Sequence, residues 1–79
     1  MHPNEEAFRA DLRERVENEF TYHAPKGDQA TRYSQLREKA KEFALLIVEL
    51  TPYSREQEQA LSLLNLSVMS ANAAIARNE

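Results

Sequence analysis

A chain of 79 residues without cysteine is long enough for one domain, and it excludes disulfides and thiolate metal sites. A hydrophobic core is marginal at this length, so we expect self-association to supply further burial. The net charge of −3, from 10 basic and 13 acidic residues, argues against a protein that binds duplex nucleic acid.

The sequence contains no stretch that resembles a signal peptide or a membrane span. Its longest uninterrupted apolar run, residues 43–48, is too short to cross a bilayer. The absence of cysteine also fits a reducing compartment. We therefore expect a soluble intracellular protein without a membrane partner.

The first predicted element is a short amphipathic helix from about residue 4 to residue 19. Apolar residues recur every four positions at Phe8, Leu12, Val16 and Phe20, and Asn4 is placed to cap the N-terminus. Because this apolar stripe is narrow, we expect the helix to pack on the following hairpin or on a neighbouring subunit. The charged residues between the apolar positions are typical of a solvated face.

The stretch from residue 20 to residue 29 interrupts the helical pattern and is the candidate binding site. Pro25 disfavours helix for the residue before it, and Gly27 tolerates positive φ, so the chain should turn here. Residues 20–41 carry five basic and two acidic side chains, whereas both flanking segments are acidic. Such a cationic island attracts anions locally.

Two long helices follow and predict an antiparallel hairpin. The first begins near Asp28 and ends at Thr51 and Pro52, and the second opens at Ser54 in a capping box with Gln57 and runs nearly to residue 79. The first helix has a packing seam with alternate spacings of three and four residues: Tyr33, Leu36, Ala40, Phe43, Ile47 and Leu50.

The last helix has two apolar seams, which indicates two packing partners. One seam consists of Leu61, Leu64, Val68, Ala71 and Ile75, and the other positions are Leu63, Leu66, Met69 and Ala73. One partner is the preceding helix, and the other is a helix of another copy or, alternatively, the first helix of the same chain. We therefore predict an all-α single domain (1–79), with an N-terminal helix (1–19) followed by a loop and helical hairpin (20–79), assembled as a compact homo-oligomer.

No enzyme motif is recognisable in the sequence. It lacks a glycine-rich phosphate loop, a nucleophile elbow, a His–Glu helix motif and an acidic metal cluster. His23 near Asp28 could form an acid–base pair, but a lone loop histidine more often donates a hydrogen bond or stacks. We therefore predict a binding module with no catalytic residue, metal or cofactor.

The cationic island offers several candidate contacts for a phosphate. The free N–H groups at the start of the second helix favour an anion, but Asp28 as N-cap would occupy them. The phosphate contacts would then fall to Lys26, Arg32 and Arg37. Arg37 and Lys41 share a helix face, whereas Arg32 and Arg37 do not.

Two rings just before the proline turn suit a nucleotide base. Tyr22 and His23 offer flat surfaces, and base stacking contributes about 1–3 kcal/mol per base. From spacing alone, packing of Tyr22 on the hairpin with merely solvating basic residues fits equally well.

Three separated segments resemble a known family. They are FTYHAPKGDQ at residues 20–29, PYSRE at residues 52–56 and MSANAAIARNE at residues 69–79, with Arg-Tyr, Leu-Arg and Ala-Lys pairs at 32, 36 and 40. The combination is similar to the phage anti-CBASS nucleotide sponges of the second type, over about residues 20–79. The hairpin also resembles a segment of phage anti-Thoeris sponges.

The resemblance implies a compact homohexamer that sequesters cyclic oligonucleotide second messengers without degrading them. It implies one kind of pocket for cyclic dinucleotides such as cyclic GMP–AMP and another for cyclic trinucleotides, both between subunits. Bacterial CBASS effectors would then stay inactive, and the site of action would be the cytoplasm of the infected bacterial host. A helical protein–protein interaction module without a small-molecule ligand is the alternative.

For the dinucleotide pocket, the resemblance implies Tyr22 as the stacking residue and Lys26 and Arg37 as phosphate contacts. His23 and Lys41 complete this candidate set on their chemistry and position.

For the trinucleotide pocket, the resemblance implies Asn72 and Arg77. A cation near a helix C-terminus is also favourable for the helix dipole alone, so Arg77 has a second explanation. A buried amide among small residues needs partners, so Asn72 should meet another subunit or a ligand.

Overall fold

The computed structural model describes residues 4–79, and these residues form three α-helices and no strand. Helix α1 spans Glu5–Glu19, α2 spans Gln29–Leu50 and α3 spans Arg55–Asn78. The predicted all-α class and the order of the three helices are confirmed. Residues 1–3 of the predicted N-terminal segment lie outside the described residues.

A four-residue turn, 51–54, joins α2 to α3 as an antiparallel hairpin. Ser54 has extended backbone angles (φ −168°, ψ 168°), and its Oγ accepts the Gln57 N–H at 3.1 Å, which confirms the predicted N-cap. The reciprocal half of the capping box is wrong. The Gln57 Nε2 instead donates to the main-chain oxygen (3.0 Å) and the Oγ1 (3.1 Å) of Thr51, which fastens the end of α2 to the start of α3.

The other two predicted caps lack a capping hydrogen bond. Asn4 (φ −87°, ψ −5°) and Asp28 (φ −90°, ψ 10°) stand at the N-cap positions of α1 and α2, but neither side chain caps its helix. Their backbone angles are far from the extended conformation that capping requires. The Asp28 Oδ1 instead accepts the Arg32 Nε–H at 3.2 Å. Gly27 has the expected positive φ of 57°.

The seam between α2 and α3 follows most of the predicted positions. All five positions of the predicted α3 seam are half-buried, and so are Tyr33, Leu36, Ala40 and Ile47 on α2. Phe43 and Leu50 were wrongly included, because they are 56% and 74% exposed. Ala44 is half-buried instead: it lies four residues after Ala40 and three before Ile47, on the same face of the helix.

Residues 4–79 form a single layer of helices without a buried apolar core. Among residues 4–79, no hydrophobic side chain is buried, and Gln29 is the one buried residue. The molecule measures 53 × 35 × 14 Å, and its shortest dimension is close to the roughly 10–12 Å diameter of one helix. Its accessible surface of 6682 Å² exceeds the about 4,900 Å² expected for a globular monomer of this mass.

Helix α1 does not bury its apolar stripe on the hairpin. The four stripe residues, Phe8 to Phe20, are between 51% and 83% exposed. The predicted packing on the hairpin of the same chain is therefore wrong, and packing on a neighbouring subunit stays a prediction. The second seam of α3 is also uncovered at Leu63, Leu66 and Met69, so α1 does not cover that face within the monomer.

By length and composition alone, α3 could cross a membrane. An 18-residue window reaches a mean hydropathy of 1.2, and none of it is buried. This property was not predicted from the sequence, because serines and asparagines within α3 interrupt every apolar run. A helix with apolar seams toward two helical partners has the same composition. The absence of a membrane partner stays a prediction.

Candidate functional site

A groove of about 430 Å³ opens between the end of α1, the following segment and one face of the hairpin. We call it the tyrosine groove. Its lining residues are Glu19, Thr21, Tyr22, His23, Tyr33, Arg37, Asn72, Ala73, Ala76 and Arg77. The groove falls within the roughly 300–1,000 Å³ range of small-molecule sites in proteins.

The antiparallel hairpin brings the groove residues of α2 close to those of α3. Tyr33 and Arg37 lie one turn apart on the same face of α2. Ala73 and Ala76 of α3 lie opposite, and their small side chains leave space between the helices and the loop. The groove therefore has an aromatic ring and a guanidinium beside a low apolar floor.

Two groups in the groove are available to a ligand. Tyr22 is 84% exposed, so its ring face is open for stacking. The Arg37 Nη2 donates to the Ser34 Oγ at 3.2 Å, and Arg37 pairs with no carboxylate within residues 4–79. A guanidinium without a carboxylate partner, beside an exposed ring, can bind a phosphate through charge-assisted hydrogen bonds.

Polar contacts hold the end of α1 at the rim of the groove. The Asn18 Nδ2 donates to the main-chain oxygen of Arg77 at 3.1 Å, and the Arg77 Nη2 donates to the main-chain oxygen of Glu19 at 3.3 Å. The His23 Nε2–H donates to the main-chain oxygen of Asn18 at 2.9 Å. His23 is half-buried and bonded to Asn18 rather than to Asp28, so it positions the loop against α1.

Asn72 carries the one orphaned polar group of this region. Its Oδ1 is buried and has no hydrogen-bond partner, the only such side-chain oxygen or nitrogen found in residues 4–79. An unpaired buried acceptor costs about 1–3 kcal/mol. Within residues 4–79 this oxygen has no partner, and the predicted partner in another subunit or a ligand stays a prediction.

Lys26 lies in an adjoining cleft of about 490 Å³ rather than in the tyrosine groove. Its Nζ donates to the main-chain oxygen of Glu79 at 2.7 Å. Arg32 binds both carboxylate oxygens of Glu79, with Nη1 to Oε2 at 2.8 Å, and the Gln29 Nε2 donates to Oε1 at 3.2 Å. Two of the predicted phosphate contacts are therefore engaged by Glu79: Lys26 by its main-chain oxygen and Arg32 by its carboxylate.

The cluster around Glu79 shifts the titration of its members. Hydrogen bonds from Arg32 and then from Gln29 lower the pKa of the Glu79 carboxyl from 4.5 to about 2. The same hydrogen bond to Glu79 is the largest cause that raises the pKa of the Arg32 guanidinium. Both groups stay charged at neutral pH, so the ion pair persists there.

The structure brings five of the seven predicted site residues into one groove: Tyr22, His23, Arg37, Asn72 and Arg77. Lys26 lies in the adjoining cleft, and Lys41 is exposed one turn beyond Arg37, outside the groove lining. Residues assigned to two kinds of pocket thus meet within a single chain. The role of each residue in binding stays a prediction.

Sequence reasoning missed three residues of this region. It placed Tyr33 only in the packing seam, although its position four residues before Arg37 could have indicated a shared face. It treated Glu19 as part of a solvated face. It considered only the backbone N–H of Gln29, yet the Gln29 side-chain Oε1 accepts the Lys26 N–H at 3.1 Å and stabilises the loop. Within the described chain, no three His, Asp or Glu side chains lie together as a metal site.

One comparison with known proteins gives a match. A family model described as "Acb2/Tad1, hairpin domain" matches residues 12–76, which include the second half of α1, the loop and nearly all of the hairpin. Every residue of the tyrosine groove except Arg77 lies within this range. Neither the curated proteins nor the solved structures contain a match to the chain.

Proposed function

Since the chain belongs to the Acb2/Tad1 hairpin family, which is known for binding cyclic nucleotides as a sponge, we propose that it sequesters cyclic oligonucleotide second messengers. The family binds its ligands without catalysis. The proposed ligands are cyclic dinucleotides such as cyclic GMP–AMP, and cyclic trinucleotides. Held by this protein and not degraded, the messenger cannot activate CBASS effectors in the cytoplasm of an infected bacterium.

The observation that supports this proposal best is the tyrosine groove. It combines the exposed ring of Tyr22 with the uncommitted guanidinium of Arg37. A base stacked on the ring gains about 1–3 kcal/mol, and the guanidinium can hold the phosphate attached to it. A cyclic nucleotide carries a base and a phosphate at adjacent positions, so it can contact both side chains.

Sequestration requires an affinity for the messenger comparable to that of the effector. It also requires a site whose residues need little ordering when the ligand binds. The two long helices that carry Arg37, Asn72 and Arg77 provide such a preformed frame. Because little conformational freedom is lost on binding, more of the contact energy appears as affinity. His23 donates its Nε2–H to Asn18, so it acts in positioning, which favours binding over proton transfer.

A homohexamer is the proposed assembly. The chain exposes about 1,800 Å² more surface than a globular monomer of its mass would. Association through the second seam of α3, at Leu66 and Met69, would cover part of this excess. Copies related by two-fold symmetry would bring two tyrosine grooves together, which suits a cyclic dinucleotide with two bases and two phosphates.

A helical protein–protein interaction module is the second candidate function. The exposed stripe of α1, Phe8 to Phe20, favours it, because the ligand groove does not use these side chains. This alternative predicts a heteromeric partner and no small-molecule ligand.

Native mass spectrometry tests the proposal directly. The purified protein is mixed with a panel of cyclic di- and trinucleotides, and the ligand is recovered after heat denaturation. We expect a hexamer that carries a cyclic nucleotide and releases it intact. Degraded ligand would indicate an enzyme, and a ligand-free monomer or dimer would favour the protein–protein interaction module.

A further inference from the structure

One acidic residue lines a groove that otherwise suits an anion. Glu19, the last residue of α1, lines the tyrosine groove together with Arg37 and Arg77. Its side chain is 39% exposed, and its carboxylate is held only by a weak pair with Arg15, so it is free to turn toward a ligand in the groove. A carboxylate at this place repels phosphate, so a ligand is disfavoured unless it donates hydrogen bonds to that carboxylate.

Fold stability does not explain an acidic residue at this position. A negative charge in the last turn of a helix interacts unfavourably with the helix dipole. Within the described part of the chain, Glu19 forms one ion pair, with Arg15 at 4.0 Å; this pair joins exposed side chains and contributes little. The main chain of Glu19 is nevertheless fixed at the rim of the groove, because its oxygen accepts a hydrogen bond from the Arg77 Nη2 at 3.3 Å.

The chemistry of the bases identifies what a carboxylate here would recognise. Guanine has two adjacent donors on its Watson–Crick edge, N1–H and the N2 amino group, which match the two oxygens of a carboxylate. Adenine has one amino donor beside an unprotonated N1, which repels the second oxygen. Bidentate contacts of this kind discriminate between bases by about 1–3 kcal/mol in nucleic-acid recognition.

We propose that Glu19 reads the Watson–Crick edge of a guanine whose ring stacks in the tyrosine groove, so that the site prefers guanine-containing cyclic dinucleotides to cyclic di-AMP. This inference rests on the proposed function, and it names the ligand class of the same groove. Glu19 is then a specificity-determining residue, whereas Tyr22 and Arg37 contact features that all cyclic nucleotides share.

Calorimetric titration with cyclic GMP–AMP and cyclic di-AMP tests the inference on the wild type, Glu19→Gln and Glu17→Gln. Glu17 is the matched control, because it also removes one acidic charge from α1 but lies outside the tyrosine groove. We expect Glu19→Gln to weaken cyclic GMP–AMP binding by about 5- to 150-fold and to leave cyclic di-AMP binding unchanged or tighter. Glu17→Gln should change neither affinity.

Thermal unfolding separates recognition from a structural effect. Glu19→Gln removes a charge that opposes the helix dipole, so its melting temperature should not fall. Equal loss of affinity for both ligands, or a lower melting temperature with that loss, would overturn the role in base recognition. The role in base recognition would also be overturned if the wild type bound the two ligands with equal affinity and Glu19→Gln changed neither affinity. That result would not affect the proposed sponge function. Binding of no cyclic nucleotide by the wild type would refute the proposed function itself.

Discussion

Replacing Asn72 by alanine should stabilise the free protein and weaken trinucleotide binding. Within residues 4–79 of the free chain, the buried Asn72 Oδ1 has no partner, which costs about 1–3 kcal/mol. Asn72→Ala removes this cost and also gains helix propensity, up to about 0.7 kcal/mol. A gain of about 1 kcal/mol corresponds to about 4–8 °C in melting temperature for a chain of this size.

Asn65→Ala is the matched control for this experiment. Asn65 also lies in α3 but is exposed, so its replacement gives the propensity gain without removing a buried oxygen. We expect Asn72→Ala to melt at least about 4–8 °C above Asn65→Ala at the same chain concentration. The increase in melting temperature that a cyclic trinucleotide gives should shrink in Asn72→Ala and persist in Asn65→Ala, because the ligand supplies the missing donor.

A lower melting temperature of ligand-free Asn72→Ala would refute this reasoning. It would mean that a neighbouring copy already donates to the Oδ1, so that the amide stabilises the assembly rather than the bound ligand. Differential scanning calorimetry at two chain concentrations distinguishes the cases, because only an interface contact makes the loss depend on concentration.

Three further predictions concern the groove, the assembly and the Glu79 cluster. Tyr22→Ala and Arg37→Ala should each weaken cyclic dinucleotide binding about tenfold or more and leave the circular dichroism unchanged; unchanged affinity for both would remove the site assignment. Leu66→Glu should dissociate the oligomer in native mass spectrometry, whereas an intact hexamer would exclude this seam from the interface. Because the pKa of Glu79 is lowered from 4.5 to about 2, its contribution to stability is present above pH 4.5 and is lost as the pH falls toward 2. Glu79→Gln should not show this loss of stability between pH 4.5 and pH 2. An acid unfolding transition of Glu79→Gln identical to that of the wild type would contradict the prediction.

The helices could be predicted from the sequence because local rules decide them. The spacings of Leu61, Leu64 and Val68 define a face of α3, and Ser54 supplies a cap that depends only on residues three positions away. The a/d pattern failed at Phe43 because an apolar residue next to a seam satisfies the same spacing, and Ala44 competed with it for the buried position.

The site could be predicted only in part because it joins residues distant in sequence. An antiparallel hairpin places residues at equal distances from its turn opposite each other, so Tyr33 lies opposite Asn72, and Arg37 lies one turn of α2 nearer the loop between the helices. The hydrogen bond from Lys26 to Glu79 does not follow from the hairpin, because it depends on how the loop runs past the end of α3. Likewise, no spacing rule shows that Gln29 is buried beneath that loop.

The absence of a buried apolar core within residues 4–79 connects assembly with ligand binding. A hairpin whose apolar side chains are all at least partly exposed has too little burial to be stable alone, so the frame of the tyrosine groove should depend on neighbouring copies. Loss of the interface at Leu66 should therefore abolish both assembly and ligand binding. Loss of the ring at Tyr22 should weaken ligand binding and leave the assembly intact, because that ring is exposed and contributes little to the fold. The two variants thus separate a sponge that needs its assembly from one in which each chain binds by itself.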